Sequence, residues 1–322
     1  MLPILKFEPV FKSVLWGGTR IAEFKGIPSQ GDHIGESWEL SPMAGNESVV
    51  AEGALKGETL PALLAKYGKE IMGEKLYERY GEKFPLLVKF IDSTQDLSIQ
   101  VHPDDELAAQ RHNSLGKTEM WYSVVPADGA YLYAGFSQDM NPDKFRAKVA
   151  DSTIVEALSK YYTKPGDVFF LPAGRVHAIG QGNFVLEIQE ASDITYRIYD
   201  YNRRDAQGNL RQLHVEESVG AINYADKAQE VKNVTAAAGI EAMVEDCGYF
   251  TTTLVNVVGE YQLELAQRES FTILISTKGN LTVVATDGTE YALPQGQTLL
   301  VPAEMPAVTL KGEGDVVTVY IK

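Results

Sequence analysis

Gly166-Asp167-Val168-Phe169-Phe170-Leu171-Pro172-Ala173-Gly174-Arg175-Val176-His177 reads as a turn glycine, an apolar strand, a proline turn and a histidine delivered just behind the strand end. The spacing of glycine, five residues and proline recurs at Gly296 and Pro302, about one domain length further on. Both segments lie in surroundings rich in short apolar runs punctuated by Gly, Pro and Asp. The repeat supports two related β domains.

Outward from His177, two further segments set polar side chains against apolar runs. Gln100 and His102 stand two apart at the end of the run 97–101, so a strand there points both to one face. Glu119 opens the run 120–125, behind Gly116-Lys117-Thr118. Three strands can therefore aim one amide oxygen, two imidazoles and one carboxylate into one cavity, which is a donor set for a single divalent metal. A buried histidine is more often a hydrogen-bonded core residue than a ligand. Here two of the five histidines sit beside strand ends in patterned segments, and that tips the reading to metal. His33, His112 and His214 lie in polar or helical contexts and read as surface or packing.

The chain has 322 residues, enough for about two ordinary domains, and its 44% apolar and 10% aromatic content is that of a globular protein. No apolar run approaches the roughly 18 residues of a membrane span, and Met1-Leu2-Pro3-Ile4-Leu5-Lys6 lacks signal-peptide architecture. One cysteine, Cys247, excludes an internal disulfide framework and a thiolate metal cage. A cytoplasmic protein is expected. The net charge of −15 argues against nucleic acid, whose binding depends on phosphate neutralisation. A small phosphorylated metabolite needs only a local cluster of Lys and Arg.

The pattern is mainly β. Strands are expected at 84–91, 97–101, 120–125, 168–171, 184–189 and 194–199, and then at 250–257, 261–266, 271–276, 281–285, 298–301 and 316–321. Leu60, Leu63, Leu64, Tyr67 and Ile71 keep helical spacing. Asn141-Pro142 predicts an N-cap and first helical residue, with Phe145, Val149, Ile154 and Leu158 on a buried stripe. A short helix is expected over 215–222 and a connection over 225–239. These place a metal-binding unit at 1–235 and a second β unit at 236–322. The second unit is expected to bind no metal, because Ala303-Glu304-Met305-Pro306-Ala307 follows Pro302 and no histidine occurs after His214.

Across most of residues 6–225 the chain resembles the short bacterial form of the type I mannose-6-phosphate isomerases (phosphomannose isomerases), of the cupin superfamily. The resemblance is carried by Trp16-Gly17-Gly18, Gly35-Glu36-Ser37-Trp38-Glu39, residues 84–105, Gly116-Lys117-Thr118-Glu119, residues 166–177 and residues 187–197. It implies two cupin-type jelly-roll domains, with helical insertions in the N-terminal metal-binding one. The segment ending at His177 resembles the second cupin motif. The first motif departs from the general form, with Gln100 in place of a histidine and Glu119 far along the chain, as in the isomerases.

The resemblance assigns the metal ligands to Gln100, His102, Glu119 and His177. It implies one divalent ion, for which nitrogen and oxygen donors suit zinc without excluding manganese, iron or cobalt. It implies interconversion of mannose 6-phosphate and fructose 6-phosphate through an enediol, with Arg197 and Lys117 as catalytic groups. Arg197 also reads as a structural partner of Asp193 or Asp200, and Lys117 as a solvated surface lysine. Trp16 and Lys89 match family positions at the substrate cavity; Glu187 and Asp193 are placed with them as candidate proton carriers, and the identity of the general base is left open. Core packing for Trp16, a strand-edge role for Lys89 and an outer support role for the two carboxylates are the competing readings. Another phosphosugar as substrate, or a non-catalytic sugar-phosphate-binding paralogue, stands beside the isomerase reading. The oligomeric state is left open.

Overall fold

The computed structural model describes residues 1–204, 208–228 and 230–322. Among the described residues the strands form three sheets with antiparallel strand pairing, and two isolated bridges, Phe136 with Lys227 and Ala238 with Asn256, are parallel. A seven-stranded sheet runs in the order Lys232–Asn233, Asp167–Leu171, Glu119–Ser123, Phe184–Glu190, Leu86–Asp92, Ile34–Leu40, Val10–Gly18. A five-stranded sheet runs Tyr196–Tyr199, Ile99–Val101, His177–Ile179, Tyr131–Phe136, Leu158–Tyr162. The eight-stranded sheet is built mainly from the C-terminal strands Glu241–Asp246, Thr251–Glu264, Ala307–Tyr320, Thr272–Ala285 and Thr298–Val301. Leu5–Glu8 and Val49–Val50 join its edge, and Glu290–Leu293 pairs with Thr272–Ala285.

Residue parity along each strand decides what faces what. In the seven-stranded sheet Leu86, Val88, Phe90, Met120, Tyr122, Leu186 and Ile188 share one core with Ile273, Ile275, Val317 and Val319 of the eight-stranded sheet. The alternate positions Ile91, Trp121, Phe169, Leu171 and Val185 point the other way, into a core shared with Leu132, Ala134 and Ile179 of the five-stranded sheet. The outer face of that sheet, with Ile99, Val101, Tyr133, Ala178 and Ile198, is covered by the helices Pro142–Ala150 and Val215–Ala221. The polar residues of interest sit on the enclosed side, between the seven- and five-stranded sheets. Burial of strand faces on both sides explains their near-continuous apolar runs.

Several expectations are corrected. The pairs of strands at 250–257 and 261–266, and at 271–276 and 281–285, are each one long strand, and 316–321 is the end of Ala307–Tyr320. Gly259 and Gly279, which read as turn punctuation, instead bend the ladder while pairing continues through them. Both have positive φ, and a Cβ on Gly279 would stand 2.1 Å from the Glu313 carbonyl oxygen. The expected stripe through Leu158 is also broken. The helix ends at Ala150, Ile154–Ala157 is a 3-10 turn and Leu158 opens a strand. Asp151 stops the helix by accepting the Thr153 N–H and hydroxyl at 3.1 and 2.5 Å. The helices Arg20–Lys25, Glu74–Tyr80 and Asp105–His112 and the strands before residue 84 go beyond the elements expected from sequence. Asn141 caps its helix as expected, accepting the Lys144 N–H at 2.9 Å. Within the expected connection 225–239, Gln229 lies outside the described residues, and Lys232–Asn233 pairs with Asp167-Val168. Among the described residues no helix is long and apolar enough to cross a membrane.

Candidate metal centre and active site

Two rows of side chains meet between the sheets. In the five-stranded sheet Arg197 pairs with Gln100, and Gln100 with His177, so the three share a face as a row. His102 follows one residue beyond Val101, keeps the parity of Gln100, and is held extended by Pro103. On the facing sheet Glu119 and Trp121 share parity, and a row runs Phe169, Trp121, Glu187, Lys89, Trp38 across five strands.

The Nε2 atoms of His102 and His177 face each other at 3.2 Å. Glu119 Oε1 is 3.3 Å from His177 Nε2, and its Oε2 is 3.5 Å from His102 Nε2. Each imidazole donates its Nδ1–H to a carbonyl, His102 to Ile194 at 2.9 Å and His177 to Arg175 at 2.8 Å. A carbonyl only accepts, so both Nε2 lone pairs are left pointing inward. Gln100 Nε2 is 3.3 Å from His177 Nε2, and a half-turn of the amide brings its oxygen there.

Burial drives the His177 imidazole down to about 3, and drives His102 well below its ordinary value with help from Lys117. The Glu119 carboxyl is pushed up to about 7 by burial, against the pull of Lys117. Neither Glu119 oxygen accepts a well-aligned hydrogen bond, although the carboxylate is fully enclosed. Two lone pairs and an enclosed carboxylate without an aligned hydrogen bond, within 4.8 Å of one another, suit a divalent cation; Lys117 Nζ ion-pairs with Glu119 Oε2 at 3.1 Å and lies 3.2 Å from His102 Nε2. The residues fit a metal cofactor.

Lys117 is buried, which removes the solvated-lysine reading. Lys89 is equally enclosed in a central strand, which removes the strand-edge reading. Its Nζ lies 2.8 Å from Glu187 Oε1, and Trp121 Nε1 donates to Glu187 Oε2 at 2.8 Å. Burial alone would raise the Glu187 carboxyl, but Lys89 and Lys117 outweigh it and hold it at about 2. Burial likewise works against the Lys89 ammonium, and Glu187 and Glu36 reverse the direction to raise it.

Arg197 donates through Nη1 to the Gln212 carbonyl at 2.9 Å, and its buried Nε has no partner among the described residues. Burial lowers its affinity for the proton, with Arg211 adding to the effect. Asp200 pairs with Arg203 and, at 3.6 Å, with Arg211, rather than with Arg197. Asp193 is exposed in the loop before Tyr196–Tyr199, apart from the buried cluster. Trp16 is nearly enclosed and borders a cavity of about 440 Å³ together with His33, Arg203 and Arg211.

Several residues at this site escape a sequence reading. Trp121 had a signal, two residues beyond Glu119 on one strand. Glu190 had none. Its Oε2 accepts the Thr118 N–H at 2.7 Å and its own N–H donates to the Thr118 carbonyl at 3.1 Å, clamping the link between Lys117 and Glu119. Arg203 and Arg211 lie in irregular chain with no periodicity to mark them.

Comparison with known proteins agrees with this geometry. Residues 4–122 match the family described as phosphomannose isomerase type I, catalytic domain, and residues 239–321 match the mannose-6-phosphate isomerase cupin domain. The chain is 34% identical over 323 residues to a mannose-6-phosphate isomerase of Bacillus subtilis, covering 98% of each. It is 32% identical over 317 residues to that of Streptococcus mutans, covering 96% of this chain and 97% of the relative. A crystal structure of the mannose 6-phosphate isomerase from Bacillus subtilis superposes with a TM-score of 0.84 at 31% identity, over 99% of this chain and all of that one. Taken with the two imidazoles and carboxylate between the sheets, these full-length likenesses establish that the chain belongs to the type I mannose-6-phosphate isomerase family.

Proposed function

We infer that this protein interconverts D-mannose 6-phosphate and D-fructose 6-phosphate, moving a proton between C2 and C1 of the opened sugar through an enediol. The observation that carries the reading is the inward convergence of His102, Glu119 and His177 in a chain alike over its whole length to isomerases of this substrate. His102, Glu119, His177 and Gln100 hold one divalent ion. Zinc is the choice that best matches two imidazoles, a carboxylate and an amide. When bound, such an ion supplies Lewis acidity toward the sugar oxygens that gain charge.

Arg197 holds an enediolate oxygen. A permanent planar cation stabilises that charge without offering a competing base. Its unpartnered buried Nε supports this role. Lys117 orients the sugar from beside Glu119. Of the two carboxylates outside the ligand set, Glu187 is enclosed and ionised while Asp193 is exposed. Glu187 is therefore the proton carrier between C2 and C1, and Lys89 fixes one of its oxygens. Trp16 walls the sugar's apolar face. Asp193 contributes at the rim. Residues 1–235 carry this chemistry, and residues 236–322 hold no metal and buttress the seven-stranded sheet. The phosphosugar substrate and the single cysteine support a cytoplasmic location.

The test is an assay coupled to fructose 6-phosphate formation from mannose 6-phosphate, with and without chelator. Turnover that chelator abolishes and zinc restores is the expected result. No turnover in metal-replete protein overturns the reading in favour of a binding role.

A further inference from the structure

Trp121 lies at the centre of Glu119–Ser123, fully enclosed, with Phe169 on one side and Glu187 on the other in the same row. Its ring packs among Leu132, Ala134, Phe169 and Val185, contacts a phenylalanine would also make. The indole nitrogen is different. It donates to Glu187 Oε2 at 2.8 Å, a hydrogen bond to a charged acceptor deep in the protein. Lys89 Nζ faces the other oxygen at 2.8 Å from the opposite neighbouring strand, as an ion pair without an aligned hydrogen bond. The carboxylate is thus gripped from both sides along one row. The same indole meets the His177 imidazole edge-on, with ring centroids 5.4 Å apart at 81°.

We propose that Trp121 is a positioning residue of the isomerisation, its N–H fixing the Glu187 carboxylate while its ring edge fixes the plane of the His177 imidazole. The proposal rests on Glu187 as the proton carrier. One side chain thereby sets the carboxylate and a metal-ligating imidazole in register with each other. Without the N–H, one Glu187 oxygen is free and the carboxylate swings on Lys89. Small misplacement of a reacting group is costly, on the order of 10²-fold for about 1 Å.

Trp121→Phe keeps the packing and removes only the donor. It is expected to lower kcat by about 10- to 100-fold, with KM and bound metal unchanged. In a Glu187→Ala background the same substitution is expected to cost nothing further, because the group it positions is gone. A purely structural tryptophan would lower activity by the same factor in both backgrounds, and that result, or wild-type kcat in Trp121→Phe, overturns the proposal. Wild-type kcat in Glu187→Ala would instead overturn the assignment of Glu187. Should Trp121→Phe not fold, the indole 1H–15N resonance of Trp121 decides the matter. It is expected to move upfield in Glu187→Ala, and an unmoved resonance refutes the hydrogen bond.

Discussion

At residues 166–177 and again at 296–307 the chain makes the same sequence of moves. A glycine with positive φ turns it, Asp167–Leu171 or Thr298–Val301 crosses a sheet, a proline turns it again, and a new strand opens. The residue that opens the new strand is His177 in the first case and Ala307 in the second. Around His177 are Gln100, His102 and Glu119. Around Thr298–Val301 are Val255, Leu274, Val308 and the thioether of Met305, all buried. One backbone device therefore serves two ends. Where the enclosed parity carries donors, the space between sheets becomes a site, and where it carries aliphatic groups, the same space becomes a core.

The comparison breaks most readily at its first member. His177→Ala is expected to release the metal and lower turnover by about 10³-fold or more, with the fold retained because a protein this size does not depend on metal to fold. Metal analysis and circular dichroism check it, and full metal occupancy would remove the ligand set from this location. The reciprocal Ala307→His is expected to bind no ion, since Ala307 is half-exposed opposite Glu264 and one imidazole there is not a site.

Arg197→Lys tests the row beside His177. It keeps charge and loses the planar fork, and turnover should fall by about 10²-fold with metal content unchanged. A near wild-type rate would make Arg197 structural.

A smaller effect separates the two regions by pH. Glu190 clamps Thr118, and burial raises its carboxyl from 4.5 to about 8. A carboxyl raised on folding holds its proton more tightly in the folded chain, so protonation favours the folded state. That stability is full below 4.5 and is lost as pH rises through about 8. Glu190→Gln mimics the protonated form, so its Tm should fall less than that of the wild type between about pH 5 and pH 8. Parallel Tm profiles for the two proteins would show that the Glu190 proton is not part of the clamp.

The least effect on catalysis is expected in the second region. Met305→Ala should cost about 2–4 kcal/mol of stability through the cavity it leaves, measured by denaturant unfolding, with kcat unchanged. A large loss of kcat would make the C-terminal unit a partner in the chemistry.

Some of this was legible in residue order, for local reasons. Gln100 and His102 announce a shared face because strand parity needs no tertiary information. Asn141-Pro142 announces a helix start because capping is a contact within one turn. The long bent strands were misread because Gly259 and Gly279 look like hairpin glycines until the partner strand through Gly312 and Gly314 is known. Glu190 was invisible because its meaning lies in a contact with Thr118, 72 residues away. Arg203 and Arg211 meet Asp200 in irregular chain, where no period marks a face.

Leu5–Glu8 finds its neighbour at the far end of the chain, with Leu5 opposite Leu300 and Lys6 opposite Leu299. During synthesis this strand therefore leaves the ribosome long before Thr298–Val301, although Val49–Val50, its neighbour on the other side, follows soon after. Its Leu5, fully buried in the folded chain, gains this ladder partner only once Thr298–Val301 has been made, whereas Phe7 meets Val50 early. The pairing joins residues far apart in sequence, a separation whose loop-closure entropy slows formation of such a contact. A polypeptide stopped at residue 235 would carry every proposed ligand and still present an unpaired strand edge. The unit that holds His102, Glu119 and His177 is thus expected to depend for its solubility on the strands beyond it.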